Sequence, residues 1–153
     1  GGITTTVADV LLARGFHGLV VPAGIPQTWL PPSFTFTTDT GLSYTDLDES
    51  EGVFTGCAAA IALTGTIILR HSAAEGRRAL SLIPDYQLCV VYAHQIADTV
   101  AEAVRKMAEF GNMPITTISG PSATSDIEMT RIKGVHGPRT LDVILVAGVS
   151  DAG

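Results

Sequence analysis

The chain has 153 residues, 46% hydrophobic and 16% charged, which is enough apolar content and length for one buried core, so residues 1–153 are expected to form a single domain. Nine Lys and Arg against fifteen Asp and Glu leave a formal charge of -6, which argues against nucleic acid as a partner because phosphate binding calls for a basic patch. Mean hydropathy is +0.34, yet the longest apolar stretch, Cys57 to Leu69, is broken by Thr64-Gly65-Thr66 and is too short to span a bilayer, so a cytoplasmic protein away from the membrane is expected.

Thr4-Thr5-Thr6 ahead of Val7, Val10, Leu11 and Leu12 predicts a helix with hydroxyls available for capping and a stop at Gly15. The chain opens on Gly1-Gly2, not on methionine, which leaves room for a further segment before it. Gly18 to Pro22 predicts a short buried strand, and the Pro- and Gly-rich run from Ala23 to Pro32 predicts a loop across the sheet edge. The acidic cluster Asp46, Asp48, Glu49 and Glu51 predicts a solvated loop, with cation binding through carboxylate oxygens as the alternative.

From Gly52 to Arg70, β-branched residues and the run Ala58-Ala59-Ala60 predict two buried strands split at Thr64-Gly65-Thr66, a core hairpin. Leu88 to Tyr92 predicts a central strand covered on both faces. A long helix is expected next, with Ile96, Val100, Ala103, Val104 and Met107 on its apolar face and a stop at Gly111-Asn112. Ile115 to Ser119 predicts another strand, Asp126 to Met129 a short helix, and Leu141 to Val146 the last strand. Strands alternating with helices imply a three-layer α/β fold whose mostly parallel sheet is flanked by helices.

Cys57 and Cys89 each lie in an apolar run and are expected to be free, buried thiols in a reducing compartment. Without CxxC or other ligand spacing, neither an iron-sulfur cluster, nor zinc, nor any other cofactor is expected on this chain.

Ligands in open α/β sheets sit beyond the carboxyl ends of the strands, so glycine- and hydroxyl-rich loops after strands are the first candidates for chemistry. Ser119 to Asp126 is such a loop: Gly120 permits close backbone approach, Ser122 and Thr124 offer hydroxyls, and the helix start near Asp126 offers unpaired N–H groups to an anion. The plainer use of the same residues is helix capping, Ser125 with Glu128 forming a capping box. Gly134 to Arg139 gathers two glycines, a proline, an imidazole and a guanidinium; His136 is the candidate general acid or base, and Gly137 and Arg139 are candidates for binding a carboxylate or phosphate. The alternative is a rigid loop whose Arg139 pairs with Asp126 or Glu128. Thr64, Gly65 and Thr66 alone are a turn signal, while His17, His71 and His94 lack metal spacing and are expected on the surface or in loops.

Together, Ala62 to Leu69, Leu82-Ile83-Pro84, Ile118 to Glu128 and Gly134 to Arg139 resemble the LUD-domain family, in particular its C-type lactate-utilization members, over about the last hundred residues. The resemblance implies a fold like that shared by glucosamine-6-phosphate deaminase, ribose-5-phosphate isomerase and CoA transferases (NagB/RpiA/CoA transferase-like). It also implies a part in oxidising L-lactate to pyruvate, alongside iron-sulfur subunits that carry the electrons. Its loop cluster, Thr64-Gly65-Thr66 with Gly120, Ser122, Thr124, Asp126, Gly137 and Arg139, would then hold a small anion or a partner. The family commonly has a glutamate before the Thr-Gly-Thr turn; this chain has Leu63, so any acid-base role at that position is lost.

Three functions follow: an accessory subunit of a lactate-oxidising system, a stand-alone enzyme acting on a sugar phosphate or acyl-CoA, and an interaction domain whose apolar surplus would serve a homo-oligomer interface.

Overall fold

The structure is a computed structural model that describes residues 2–109, 111, 114–119 and 137–148. Helix α1 (Ile3–Arg14) ends at Gly15, whose φ of 72° is a left-handed turn that glycine makes without a Cβ clash. The threonines do not cap it: Gly2 is the N-terminal flank, and Thr6 Oγ1 donates from within the helix to the Gly2 carbonyl. Strand β1 (Gly18–Val21) follows as expected. The Ala23–Pro32 run is a loop around one 3-10 turn, Gln27–Trp29, and it buries Ile25 and Trp29.

Two elements differ from expectation. Thr35–Thr38 is a strand, β2, whose largely exposed TFTT pattern gives no periodic signal; parallel pairing with β1 makes it one. The acidic stretch is mostly a helix, α2 (Tyr44–Glu49): the Ser43 hydroxyl accepts from the Asp46 N–H, and Leu47 is fully buried beneath the carboxylates. Among the described residues no group of three or more His, Cys, Asp or Glu could hold a metal ion.

Strands β3 (Val53–Thr55), β4 (Ala59–Ile61) and β5 (Thr66–Leu69) occupy the Gly52–Arg70 stretch. Only β4 and β5 form the expected hairpin; β3 joins a different sheet. Helix α3 (Arg78–Leu82), strand β6 (Tyr86–Tyr92), the short β7 (Ile96–Ala97), helix α4 (Val100–Ala108), strand β8 (Thr116–Ser119) and strand β9 (Thr140–Val146) complete the described elements.

Five strands form a wholly parallel sheet in the order β2-β1-β3-β6-β9. The other four form a mixed sheet, β7-β4-β5-β8, that the sequence did not announce. The mixed α/β architecture with a mostly parallel, helix-flanked sheet is therefore as read from the sequence, and the hairpin belongs to an added layer.

Alternation along the strands assigns the faces. One side of the parallel sheet, with Leu19, Val21, Phe54, Leu88 and Val90, packs on Val7 and Leu11 of α1. The other is shared: Val20 and Val53 meet Leu47 of α2 and Leu80 of α3, while Cys89 and Val91 meet Ala60, Ile67, Leu69 and Ile118 of the mixed sheet. The outer face of that second sheet, with Ala59, Ile61 and Ile68, packs on Ala103 of α4. Val100 and Val104, expected to be buried, are 52% and 62% exposed because α4 turns the small Ala103, with Met107 beside it, toward the strands. Ile96 lies outside the helix, pairing as β7 with β4. No described helix is long and apolar enough to cross a membrane.

Candidate functional site

The Thr-Gly-Thr turn closes the β4–β5 hairpin, with Gly65 at φ 64°. Thr66 pairs in register with Ser119 on β8, and their hydroxyls lie 2.9 Å apart; Thr64 Oγ1 is 2.7 Å from Thr66 Oγ1. Three hydroxyls thus form a chain at the carboxyl end of β8. Thr66 shares the face of Ile68, so this chain lies on the side of the mixed sheet that carries α4.

Gly137 and Arg139 are placed elsewhere. They lead into β9, with the Arg139 N–H donating to the Asp85 carbonyl at 2.7 Å, at the amino ends of β6 and β9. Among the described residues no hydrogen bond joins them to the hydroxyl chain. Gly120, Ser122, Thr124, Asp126 and His136 lie outside the described residues.

The carboxyl edge of the parallel sheet is crossed by a segment that sequence reading passed over, residues 70–76. Gly24, just beyond β1, donates to the Ala73 carbonyl at 2.9 Å, and Gly56, just beyond β3, donates to the Ala74 carbonyl at 3.1 Å. Gly24 has to be a glycine: a Cβ there would lie 2.4 Å from the Ala73 Cβ and 2.7 Å from its carbonyl carbon. The segment is tied internally by Glu75, which is 3% exposed: its carboxylate accepts from the Arg70 and Ser72 N–H groups at 3.1 and 3.2 Å and from the Ser72 hydroxyl, with Arg70 Nε 3.7 Å away. A buried carboxylate needs such donors to offset its lost hydration.

Between those two donors sits His71, the one described non-glycine residue with positive φ, 64°. Such backbone is uncommon for side-chain-bearing residues and persists where neighbouring bonds over-determine it. Its ring is half-buried and used at both nitrogens: Nδ1 lies 3.0 Å from the Gly76 carbonyl oxygen and Nε2 lies 2.8 Å from Thr116 Oγ1. His71 is a loop residue, as expected, but one fixed at the sheet edge, whereas His17 and His94 are exposed. The clue in the sequence was a glycine soon after each of two strands, Gly24 three residues past Val21 and Gly56 directly after Thr55.

Charge pairs brace this edge and the opposite one. Arg77 donates to both oxygens of Asp39 at 2.7 and 3.1 Å and to the Leu42 carbonyl. The Arg77 hydrogen bonds, then those from the Leu42 and Gly41 N–H groups, hold the Asp39 carboxyl below its ordinary range despite burial. Arg14 of α1 grips Asp142 of β9 through two hydrogen bonds of 2.8 and 2.9 Å, and the Tyr86 hydroxyl adds a third at 2.9 Å. Asp142 is likewise held low, first by Arg14, while burial and Asp142 push the Tyr86 phenol up.

Both cysteines are free and buried, as read from the sequence. A hydrogen bond with Cys89, then burial, pushes the Cys57 thiol upward, so it stays protonated and unreactive. A cavity of about 470 Å³ opens between α2 and α3, lined by Tyr44, Asp48, Arg78, Leu82 and Ile83 among others; among the described residues, Thr64, Gly65, Thr66, Gly137 and Arg139 are not part of its lining.

A mixed α/β fold with one parallel sheet, an overlaid hairpin sheet and a glycine-seated crossing at the carboxyl edge is the frame in which comparison with known proteins has meaning. The LUD domain matches residues 39–146, and the chain belongs to that family. It is 53% identical over 131 residues to "Lactate utilization protein C" of Deinococcus radiodurans, a match covering 84% of this chain and 62% of that protein. A second "Lactate utilization protein C", from Shouchella clausii, is 31% identical over 113 residues, covering 71% of this chain and 44% of the relative. The chain thus spans less than two thirds of the length of these curated relatives. Among solved structures, a DUF162 family protein from Deinococcus radiodurans superposes with a TM-score of 0.77 and 43% sequence identity, over 95% of this chain and 82% of that one.

Proposed function

We propose that this chain works in lactate utilization, as an accessory domain of a system that oxidises L-lactate to pyruvate with iron-sulfur partners carrying the electrons. The observation that carries the proposal is the 53% identity to the Deinococcus radiodurans "Lactate utilization protein C" across most of the chain. The hydroxyl chain Thr64–Thr66–Ser119 supports the finer reading: it offers uncharged donors at the carboxyl end of β8, suited to a small carboxylate or to the backbone of a partner.

The test is growth on L-lactate as sole carbon source in the parent organism, with the gene deleted and then restored. Loss of growth on lactate but not on glucose is expected, with rescue by the native gene and poor rescue by Thr66→Val. Unimpaired growth of the deletion strain on lactate refutes the role. Affinity purification of the native protein without any iron-sulfur protein refutes the partner assignment alone.

A further inference from the structure

We propose that Thr116 is an activated nucleophile, with His71 as its general base and the Gly76 carbonyl as the group that orients the base, giving the crossing segment an acyl-transfer capacity independent of the lactate role.

The tautomer follows from the partners. A carbonyl oxygen only accepts, so His71 Nδ1, 3.0 Å from Gly76 O, carries the proton. In the tautomer with its single proton on Nδ1, Nε2 presents a lone pair 2.8 Å from Thr116 Oγ1, within reach of the hydroxyl proton. A hydroxyl within hydrogen-bond reach of an imidazole whose other nitrogen is fixed by a third group is the arrangement that makes an alcohol nucleophilic.

The surroundings hold this geometry instead of leaving it to a mobile side chain. Glu75 binds the backbone N–H groups on both sides of His71, Gly24 and Gly56 anchor the following residues to the parallel sheet, and Thr116 is fixed by its pairing with Leu69 at the start of β8. The left-handed backbone of His71, φ 64°, is held by those same bonds and fixes the direction in which the ring leaves the segment. The pair sits at the carboxyl edge, where α/β sheets place ligands, and both side chains are half-buried and so reachable by a small reagent.

The step balances. Thr116 Oγ1 forms a bond to the carbonyl carbon of an activated ester while its proton passes to Nε2. The bond to the leaving alkoxide then breaks, and the imidazolium returns that proton to the leaving group. Water, deprotonated by the same nitrogen, releases the carboxylic acid and restores the hydroxyl. The substrate class is a small activated carboxylic ester.

The experiment uses the full chain with 4-nitrophenyl acetate, following nitrophenolate release and mapping the acetyl group by peptide mass spectrometry. Acetylation at Thr116 is expected. The rate should fall about a hundredfold or more in His71→Gln and Thr116→Val, and Thr116→Ser should keep it. Circular dichroism of each variant separates lost chemistry from lost fold, and the mapping on native protein needs no variant. Acetyl groups found only on lysines, or a His71→Gln variant that stays folded and acetylates Thr116 at the native rate, would overturn the proposal and leave His71 as a structural tie. Neither result bears on growth with lactate.

Discussion

Replacing Gly24 by alanine puts the seating of the crossing segment to a direct test. The added methyl would sit 2.4 Å from the Ala73 Cβ, 2.7 Å from its carbonyl carbon and 2.8 Å from its oxygen, distances that Cβ atoms do not tolerate. All three atoms belong to main chain or to a methyl fixed on it, so no rotamer change relieves the overlap, and the segment from Ser72 to Glu75 has to lift. Overpacking of this kind costs about 1–3 kcal/mol. Lifting also stretches the Gly24 N–H to Ala73 carbonyl bond of 2.9 Å, worth about 1 kcal/mol. A loss of about 2–4 kcal/mol is the expected sum, which for a chain of this size lowers Tm by roughly 5–15 °C. Urea denaturation read by circular dichroism gives the free energy, and hydrogen exchange locates the change. Gly65→Ala is the comparison: nothing lies within 4 Å of its added methyl, so only the φ of 64° is penalised, about 1 kcal/mol. If Gly24→Ala is no less stable than Gly65→Ala, the crossing segment is not seated on the sheet as described.

Asp39→Asn should cost about 1–3 kcal/mol at neutral pH, toward the lower end because Arg77 is 39% exposed, as measured by urea unfolding. Because the folded carboxyl is held below its ordinary value of 3.8, its contribution is complete above that value and fades as pH falls through the lower folded one; native and variant curves should therefore converge in acid. Asp142→Asn breaks a more open pair, with side chains 40% and 29% exposed, and should cost about 1 kcal/mol or less, weakening further at high salt. Leu69→Ala removes a fully buried side chain between the two sheets and should cost about 2–5 kcal/mol by the same measurement.

Where periodicity was strong the sequence foretold the fold well. The apolar run ending in Tyr92 became an interior strand buried on both faces, Gly15 stopped the first helix with the backbone angle only glycine takes easily, and the last strand began one residue before the expected Leu141. Short or polar elements were lost for physical reasons. Strand β2 has one apolar residue in four and exists through its bonds to β1; α2 is six residues, half of them acidic, hung on a single buried leucine. The second sheet was invisible because pairing between Thr66 and Ser119 spans 53 positions (119 − 66), beyond any local pattern. The candidate site was half legible. Composition drew attention to Thr64 and Thr66, and they do meet Ser119, whereas Arg139 leads into a strand at the amino edge. His71 reads from the sequence only as a surface or loop histidine, because its partners lie five and forty-five residues away.

The all-parallel sheet constrains how the chain can be assembled. Parallel neighbours cannot be joined by a tight turn, so each pairing waits for an intervening crossover. Tyr86 finds Thr140 only across 54 positions (140 − 86), whereas Ile61 and Thr66 meet across five (66 − 61). Closing long segments before they are rewarded makes such topologies slow to fold. During synthesis the outer border of β6 stands with unpaired amides until residues 140–146 have left the ribosome, an interval in which a neighbouring nascent chain can add itself to that border.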